Sequence, residues 1–384
     1  MPVWRILLFM TVMFGITALW HWYLWARLGR DPGWPAPWPG VIKVALIALA
    51  VSIPLGFVAM RALPRSIHQP IMWVVYGWMG MAIVMFFVLV PLDVVRAIAS
   101  RAVDPSRREA LSRIVAGTVG VLGAGLTGFG VYNVLSRVAV ERVRVPLAKL
   151  PKDLSGYVIA QITDVHVGPT IGKDFIEELV GTINALAPDA VVITGDLVDG
   201  SVTELGALVA PLKDLRAKDG VFFVTGNHEY YSGVDDWLAH LRTLGVRVLR
   251  NERLALREGA AGGGLDLAGV DDHSAHQFGR GHGTDLDKAL GDRDASRALV
   301  LLAHQPKTVL AAVRHAIDLQ LSGHTHGGQI WPWGYAVRID QPHVAGLHDH
   351  EGAKIYVSRG TGYWGPPVRI GAPAEITRIE LVSA

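Results

Sequence analysis

Residues 221–229 read Val-Phe-Phe-Val-Thr-Gly-Asn-His-Glu, an apolar strand-like run that ends in glycine followed by Asn227, His228 and Glu229. The same pattern recurs four times. Tyr157–Thr163 runs into Asp164-Val-His166, and Ala190–Thr194 runs into Gly195-Asp196. Ala298–Ala303 runs into His304, and Leu319–Ser322 into Gly323-His324-Thr325-His326. Ligands of open α/β sheets bind just beyond the carboxyl ends of strands. Five such ends delivering Asp, His and Asn imply one convergent site. Carboxylate, imidazole and amide oxygen are borderline-to-hard donors, which suit manganese, iron or zinc. So many donors are too many for one ion, and two ions sharing a bridging carboxylate would use most of them. The glycines before Asp196, Asn227 and His324 permit tight turns and close backbone approach.

Around these blocks, strand-like and helix-like runs alternate. Further strands are expected at Leu265–Val270, Lys354–Ser358 and Ile376–Leu381. Helices are expected at Asp174–Leu186, Thr203–Leu215, Val234–Leu244 and Pro306–His315. No repeat of domain-building length is present.

Composition divides the chain in two. Of 384 residues, 51% are hydrophobic and only 18% charged, where a soluble protein carries about 25% charge. Residues 1–135 carry a net charge of +7 and the remainder −5, together +2. Neither part is basic enough for nucleic-acid binding. The absence of cysteine excludes disulfides, thiol nucleophiles, iron–sulfur clusters and thiolate zinc sites.

The first part holds four stretches near the length of about 20 residues that a bilayer requires: 6–26, 41–60, 71–92 and 114–136. Only Lys43 interrupts them with a charge, near a span end where it can snorkel. Ala116, Gly120, Ala124 and Gly128 recur every four residues and suggest a small-residue face for close packing. Residues 1–136 are thus expected to form a transmembrane region, 137–154 a basic linker and 155–384 the catalytic domain. The linker carries Arg137, Arg142, Arg144, Lys149 and Lys152, either facing anionic headgroups or solvent.

In their order, Asp164-x-His166, Gly195-Asp196, Gly226-Asn227-His228-Glu229, His304 and Gly323-His324-x-His326 resemble the calcineurin-like metallophosphoesterase superfamily over roughly residues 155–384. The resemblance implies an α/β fold, a β-sandwich flanked by helices, here preceded by an all-α transmembrane region of about four helices. It implies that Asp164, His166 and His326 bind one metal, that Asn227, His304 and His324 bind a second, and that Asp196 bridges both. It makes His228 the catalytic residue, acting on the phosphoryl oxygens or the leaving oxygen, with Glu229 placed to orient it. The cofactors implied are two divalent ions, manganese, iron or zinc, and the reaction is attack of metal-activated hydroxide on phosphorus.

Other residues carry alternatives. Arg359 and Arg369 flank Gly360-Thr-Gly-Tyr-Trp-Gly-Pro-Pro367 and serve either as phosphate contacts or in structural ion pairs. His273, His276 and His282 lie in a Gly-rich loop, read as a substrate-facing lid or a solvent loop. His343, His348 and His350 read as a second rim or as plain surface. His21 reads as a helix-packing residue.

The layout is similar to the membrane-anchored branch around the YkuE and YaeI phosphodiesterases, some relatives of which act on lipid-linked substrates. The implied function is hydrolysis of a phosphodiester, pyrophosphate or phosphomonoester, lipid-linked, at a multi-pass cell (inner) membrane. Two alternatives remain open: a tethered phosphodiesterase for a soluble nucleotide or small phosphoester, and a membrane sensor or transporter with a regulatory metal domain. Against the last, no span carries an internal Asp, Glu or Arg. Ser106-Arg-Arg-Glu-Ala-Leu-Ser-Arg113 resembles a twin-arginine signal or a basic cytoplasmic loop, and both readings favour an extracytoplasmic catalytic domain.

Overall fold

The computed structural model describes residues 3–99, 104–260 and 262–384. They divide into two compact units, residues 1–132 with 365–368 and residues 133–364 with 369–384.

The first unit is helical: α1 (Val3–Trp25), α2 (Trp38–Ala62), α3 (Arg65–Ala99) and α4 (Pro105–Leu135). Among the described residues three helices are long and apolar enough to cross a membrane: Trp38–Ala62, Arg65–Ile98 and Ser106–Leu135. The sequence suggested about four. The first of these, 6–26, is helical in α1, but the side chains of residues 3–7, 9 and 10 lie outside the described ones. Leu24, Leu46, Ala82, Met85, Leu89 and Val119 form an interior, while Val44, Val74 and Val121 are exposed. Apolar side chains facing outward along a helix suit a lipid surround.

The small-residue face of α4 is not the one expected. Its buried positions are Ser112, Ala116, Val119, Gly123, Thr127 and Gly130. A strict four-residue row drifts about 40° per step around a helix of 3.6 residues per turn, so Gly120, Ala124 and Gly128 leave the contact face. Gly123 instead faces Met85, where a Cβ would collide with that side chain.

The second unit is built on twelve strands: β1 (Ala139–Leu147), β2 (Tyr157–Ile162), β3 (Ala190–Ile193), β4 (Val221–Phe223), β5 (Arg247–Val248), β6 (Glu252–Glu258), β7 (Gly264–Gly269), β8 (Ala298–Leu302), β9 (Leu319–Ser322), β10 (Gly346–His350), β11 (Ala353–Val357) and β12 (Glu375–Ser383). They form two six-stranded sheets, ordered β1-β12-β2-β3-β4-β5 and β10-β11-β9-β8-β7-β6. β2 to β5 run parallel, as do β7, β8, β9 and β11. Every residue of β2, β3, β4, β8 and β9 is buried, as continuous apolar strands covered on both faces require.

Alternation of side chains divides the core. Ile159, Val192 and Phe222 point inward to meet Leu267, Val300, Leu321 and Tyr356 of the other sheet. Ala160, Ile162, Val191, Ile193 and Phe223 point outward under α5 (Lys173–Ala185), α6 (Val202–Val209) and a later helix, Val234–Thr243. In α5 the buried residues are Ile176, Leu179, Val180 and Ile183, the spacing of a one-sided helix. The β-sandwich flanked by helices is therefore the fold of this unit.

The segment expected as a linker contains β1, which pairs in parallel with β12 from Ala139↔Glu375 to Leu147↔Ser383. Val145 and Leu147 are buried, while Arg142, Arg144 and Pro146 face out. Arg142 and Arg144, two of the basic residues that suggested a linker, belong to the solvent face of an edge strand, the position where proline is tolerated. The helix expected over Thr203–Leu215 divides at Pro211 into α6 and a short turn, Ala210–Asp214.

Candidate metal centre

The site lies where β2, β3, β4, β8 and β9 end. After β4 the chain passes through Gly226 into the short helix α7 (Asn227–Ser232), followed by α8 (Val234–Thr243). Asp164, His166, Asp196, His324 and His326 all sit at positive φ, between 50° and 71°. Such conformations cost on the order of 1–3 kcal/mol each and collect at functional sites. Two glycines make room: a Cβ at Gly226 would collide with the Asp196 carboxylate, and one at Gly323 with that of Asp164.

Three sets of side chains converge to ligating distance: Asp164, His166 and His326; Asp196, His304 and His324; and His166, Asp196 and His228. His326 Nε2 lies 3.4 Å from Asp164 Oδ1 and 3.1 Å from His166 Nε2. His304 Nε2 lies 3.1 Å from Asp196 Oδ2, and His166 Nε2 lies 3.9 Å from the same oxygen. Asp196 thus stands between the two groups. His228 is hydrogen-bonded to Asp196 through its backbone N–H at 2.9 Å.

Neighbouring groups fix the rings. His304 Nδ1 donates to the Thr194 carbonyl at 2.8 Å, which turns Nε2 inward. His166 Nδ1 and His228 Nδ1 both bond Asp199 Oδ1, at 3.0 and 2.6 Å. Asp164 accepts the His324 backbone N–H on both oxygens, at 2.9 and 3.0 Å. The His228 ring sits edge-on to Tyr231 and Trp364, at 5.4 and 5.7 Å.

Electrostatics follow from this burial. Burial pushes the Asp164 carboxyl up, whereas the His304 and His228 charges overcome burial and hold Asp196 well below the carboxylate range. Burial would lower His228, but the Asp196 charge and the Asp199 hydrogen bond outweigh it and push it up to about 9. Burial and the neighbouring His304 push His324 down to about 3, leaving it a neutral ring.

The residues fit a pair of cations. Asn227 Oδ1 is buried without a hydrogen-bond partner, and His304 Nε2 has only Asp196 Oδ2 beside it, at 3.1 Å. Leaving buried polar atoms unpaired costs about 1–3 kcal/mol each. Nitrogen and oxygen donors without thiolate match manganese, iron or zinc.

Other sequence-derived candidates fall elsewhere. Glu229 does not reach His228. Its carboxylate accepts the backbone N–H groups of Asp196, Leu197 and Gly226, at 3.0, 2.8 and 2.7 Å, and so ties two ligand-bearing loops together. Arg369 is fully buried and donates to the carbonyls of Gly362 and Ala372, at 2.6–2.8 Å, and to His326 Nδ1 at 3.2 Å. It backs the His326 ring and is closed off from solvent. Arg359 forms ion pairs with Glu375 at 2.5 Å and Glu141 at 3.2 Å, the structural alternative. His273 is exposed and belongs to none of the three converging sets. His343 and His348 stack at 4.5 Å, and His343 Nε2 lies 3.0 Å from His350 Nδ1, also outside those sets. His21 accepts the Trp78 indole N–H at 2.9 Å, as a packing residue does. Asp199 escaped the sequence reading; its one signal is the second carboxylate in Gly195-Asp-Leu-Val-Asp199.

A β-sandwich whose strand ends converge carboxylates and imidazoles for a pair of cations defines a metal-dependent phosphoesterase. Residues 157–328 match the family described as calcineurin-like phosphoesterase. An uncharacterized metallophosphoesterase of Helicobacter pylori (strain J99) is 41% identical over 282 residues, covering 72% of this chain and 73% of that protein. A Bos taurus transmembrane protein with metallophosphoesterase domain is 42% identical over 298 residues, covering 74% and 66%. The Bacillus subtilis uncharacterized metallophosphoesterase YkuE is 31% identical over 293 residues, covering 72% and 98%. The chain belongs to the calcineurin-like metallophosphoesterase family and is a metal-dependent phosphoric ester hydrolase.

Proposed function

We propose that this chain is a membrane-anchored phosphoesterase acting on a lipid-linked phosphodiester, pyrophosphate or phosphomonoester. Asp164, His166 and His326 hold one divalent ion and Asn227, His304 and His324 a second, with Asp196 shared. The observation that carries the reading is the convergence of these carboxylates and imidazoles beside the buried, unpartnered Asn227 Oδ1. Bound divalent ions supply an activated water and neutralise phosphoryl charge.

The chain's own residues do the rest. Thr194 and Asp199 fix the tautomers that turn His304 and His166 Nε2 inward. Asp199 also keeps a proton on His228 Nδ1, so that His228 Nε2 can donate to a phosphoryl or leaving oxygen. Tyr231 and Trp364 flank the His228 ring and limit its rotation.

Membrane-length helices support association with a bilayer. We place the anchor in residues 1–136 and the catalytic domain in 155–384, at a multi-pass cell membrane. The basic start of α4, with Arg107, Arg108 and Arg113, favours the cytoplasmic side for that helix end and an extracytoplasmic site.

The test incubates purified full-length protein with a native membrane-lipid extract, with manganese, zinc or no metal, and reads phosphorus-containing products by mass spectrometry. The expected result is a metal-dependent lipid product that Asp196→Asn does not form. Cleavage of soluble nucleotide esters with no lipid product would overturn the lipid assignment.

A further inference from the structure

Trp331, Trp333, Tyr335 and Ile339 lie in one nine-residue stretch a few residues beyond His326, and are 65%, 56%, 68% and 89% exposed. Leaving large apolar side chains in water is unfavourable, so a run of this size points to a second surface that covers it. The stretch is anchored to the fold. Trp331 donates its N–H to the Ile370 carbonyl at 2.9 Å, and residues Gly334–Val337 form a helical turn. That turn lies so close to Gly328 that a Cβ there would collide with Gly334.

The surface continues to the catalytic imidazole. Gln329 exchanges two hydrogen bonds with the Trp364 backbone, at 3.0 and 2.9 Å. The Trp364 ring is 56% exposed and stands beside His228. Tyr231, on the other side of His228, is 63% exposed and its ring meets Phe278 at 5.4 Å.

The chemistry of the stretch fits a bilayer surface. Tryptophan and tyrosine concentrate where hydrocarbon meets headgroups. The one charged residue within 331–339 is Arg338, basic and exposed, which suits anionic lipid. A bilayer is within reach, because the same chain carries membrane-length helices.

We propose that residues 331–339 dock on the headgroup layer of the bilayer, so that the metal centre beside them meets phosphoesters at that depth. This rests on the reading of the chain as membrane-anchored and is independent of the ligand assignments. The occupant is the lipid surface, not a protein partner.

The cysteine-free sequence allows a direct test. Tyr335→Cys gives a single attachment point for an environment-sensitive dye on the full-length protein, reconstituted in vesicles of phosphatidylcholine and phosphatidylglycerol. Lys213→Cys, in an exposed turn after α6, is the reference. The expected result is a blue-shifted Tyr335→Cys probe quenched by lipids brominated near the headgroup, and an unquenched reference probe. Trp331→Ser/Trp333→Ser is expected to raise the KM for vesicle-borne phosphoester about tenfold, with turnover of soluble bis(para-nitrophenyl) phosphate unchanged. An unquenched Tyr335→Cys probe on protein that resists carbonate extraction overturns the docking surface and leaves the anchor standing. Protein released by carbonate overturns the anchor and the docking surface together.

Discussion

The two halves of the metal centre are built from similar donors and satisfied differently. Around Asp164, the groups bond one another: His166 faces His326 at 3.1 Å, and Asp164 accepts the His324 N–H and the Thr163 hydroxyl. Around Asn227 and His304, Asn227 Oδ1 is buried with no hydrogen-bond partner and His304 Nε2 has only Asp196 Oδ2, at 3.1 Å. The first half closes on itself, while the second leaves the Asn227 side-chain oxygen unpaired, which a ligand would satisfy. The energetic demand for a cation is therefore greatest beside Asn227 and His304, and Asp196, between the halves, links the two.

The strongest way to break this comparison is to remove the shared group. Asp196→Asn keeps the size of the side chain and removes its charge, and turnover is expected to fall by on the order of a thousandfold or more. Metal titration of the same variant should show weakened binding in both halves; weakening of one half alone would mean that Asp196 is not shared.

Asp199→Asn comes next. Asp199 touches no substrate position and acts through His166 and His228, so it is a positioning residue. Its replacement is expected to lower metal affinity in the Asp164 half by about 10–100-fold and leave the His304 half intact. The pH dependence of turnover should change as well, because His228 loses the bond that helps push its pKa up to about 9. A packing role alone would leave the pH profile in place.

Legibility in the sequence follows the same division. That these blocks converge was readable because each sits directly after a strand. Asp199 was not, since its role arises only when the turns carrying His166 and His228 approach one carboxylate oxygen. Arg369 was readable as a cation but not as a buried one, because the carbonyls it serves, Gly362 and Ala372, come together only in the fold. The sandwich was legible from its apolar runs, but β1 was hidden by its alternating arginines, which belong to an exposed strand face.

Metal binding sharpens the comparison by pH. Burial would lower His304, yet the Asp196 charge raises it well above its ordinary value, so the metal-free ring is protonated at neutral pH. A cation displaces that proton, and affinity is expected to rise with pH by about tenfold per unit for each proton displaced. Calorimetry in buffers of different ionisation enthalpy counts the protons; none released would contradict the protonated ring.

The smallest effects test the corrected roles. Glu229→Gln retains the shape of the clamp on Asp196, Leu197 and Gly226 while weakening its acceptors, and is expected to cost about 1–3 kcal/mol of stability by chemical denaturation. Its pH–turnover profile should shift less than that of Asp199→Asn, since Glu229 raises His228 by its charge alone, with no hydrogen bond to the ring. His273→Ala, at an exposed position, should change turnover by less than about twofold.

The most direct measurement is metal content and phosphodiester turnover determined on the same samples of full-length protein, as purified, after chelation and after re-addition. The account predicts two divalent ions per chain, turnover lost with them and regained on their return, and neither full occupancy nor turnover in Asp196→Asn. Undiminished turnover from protein stripped of metal would contradict it.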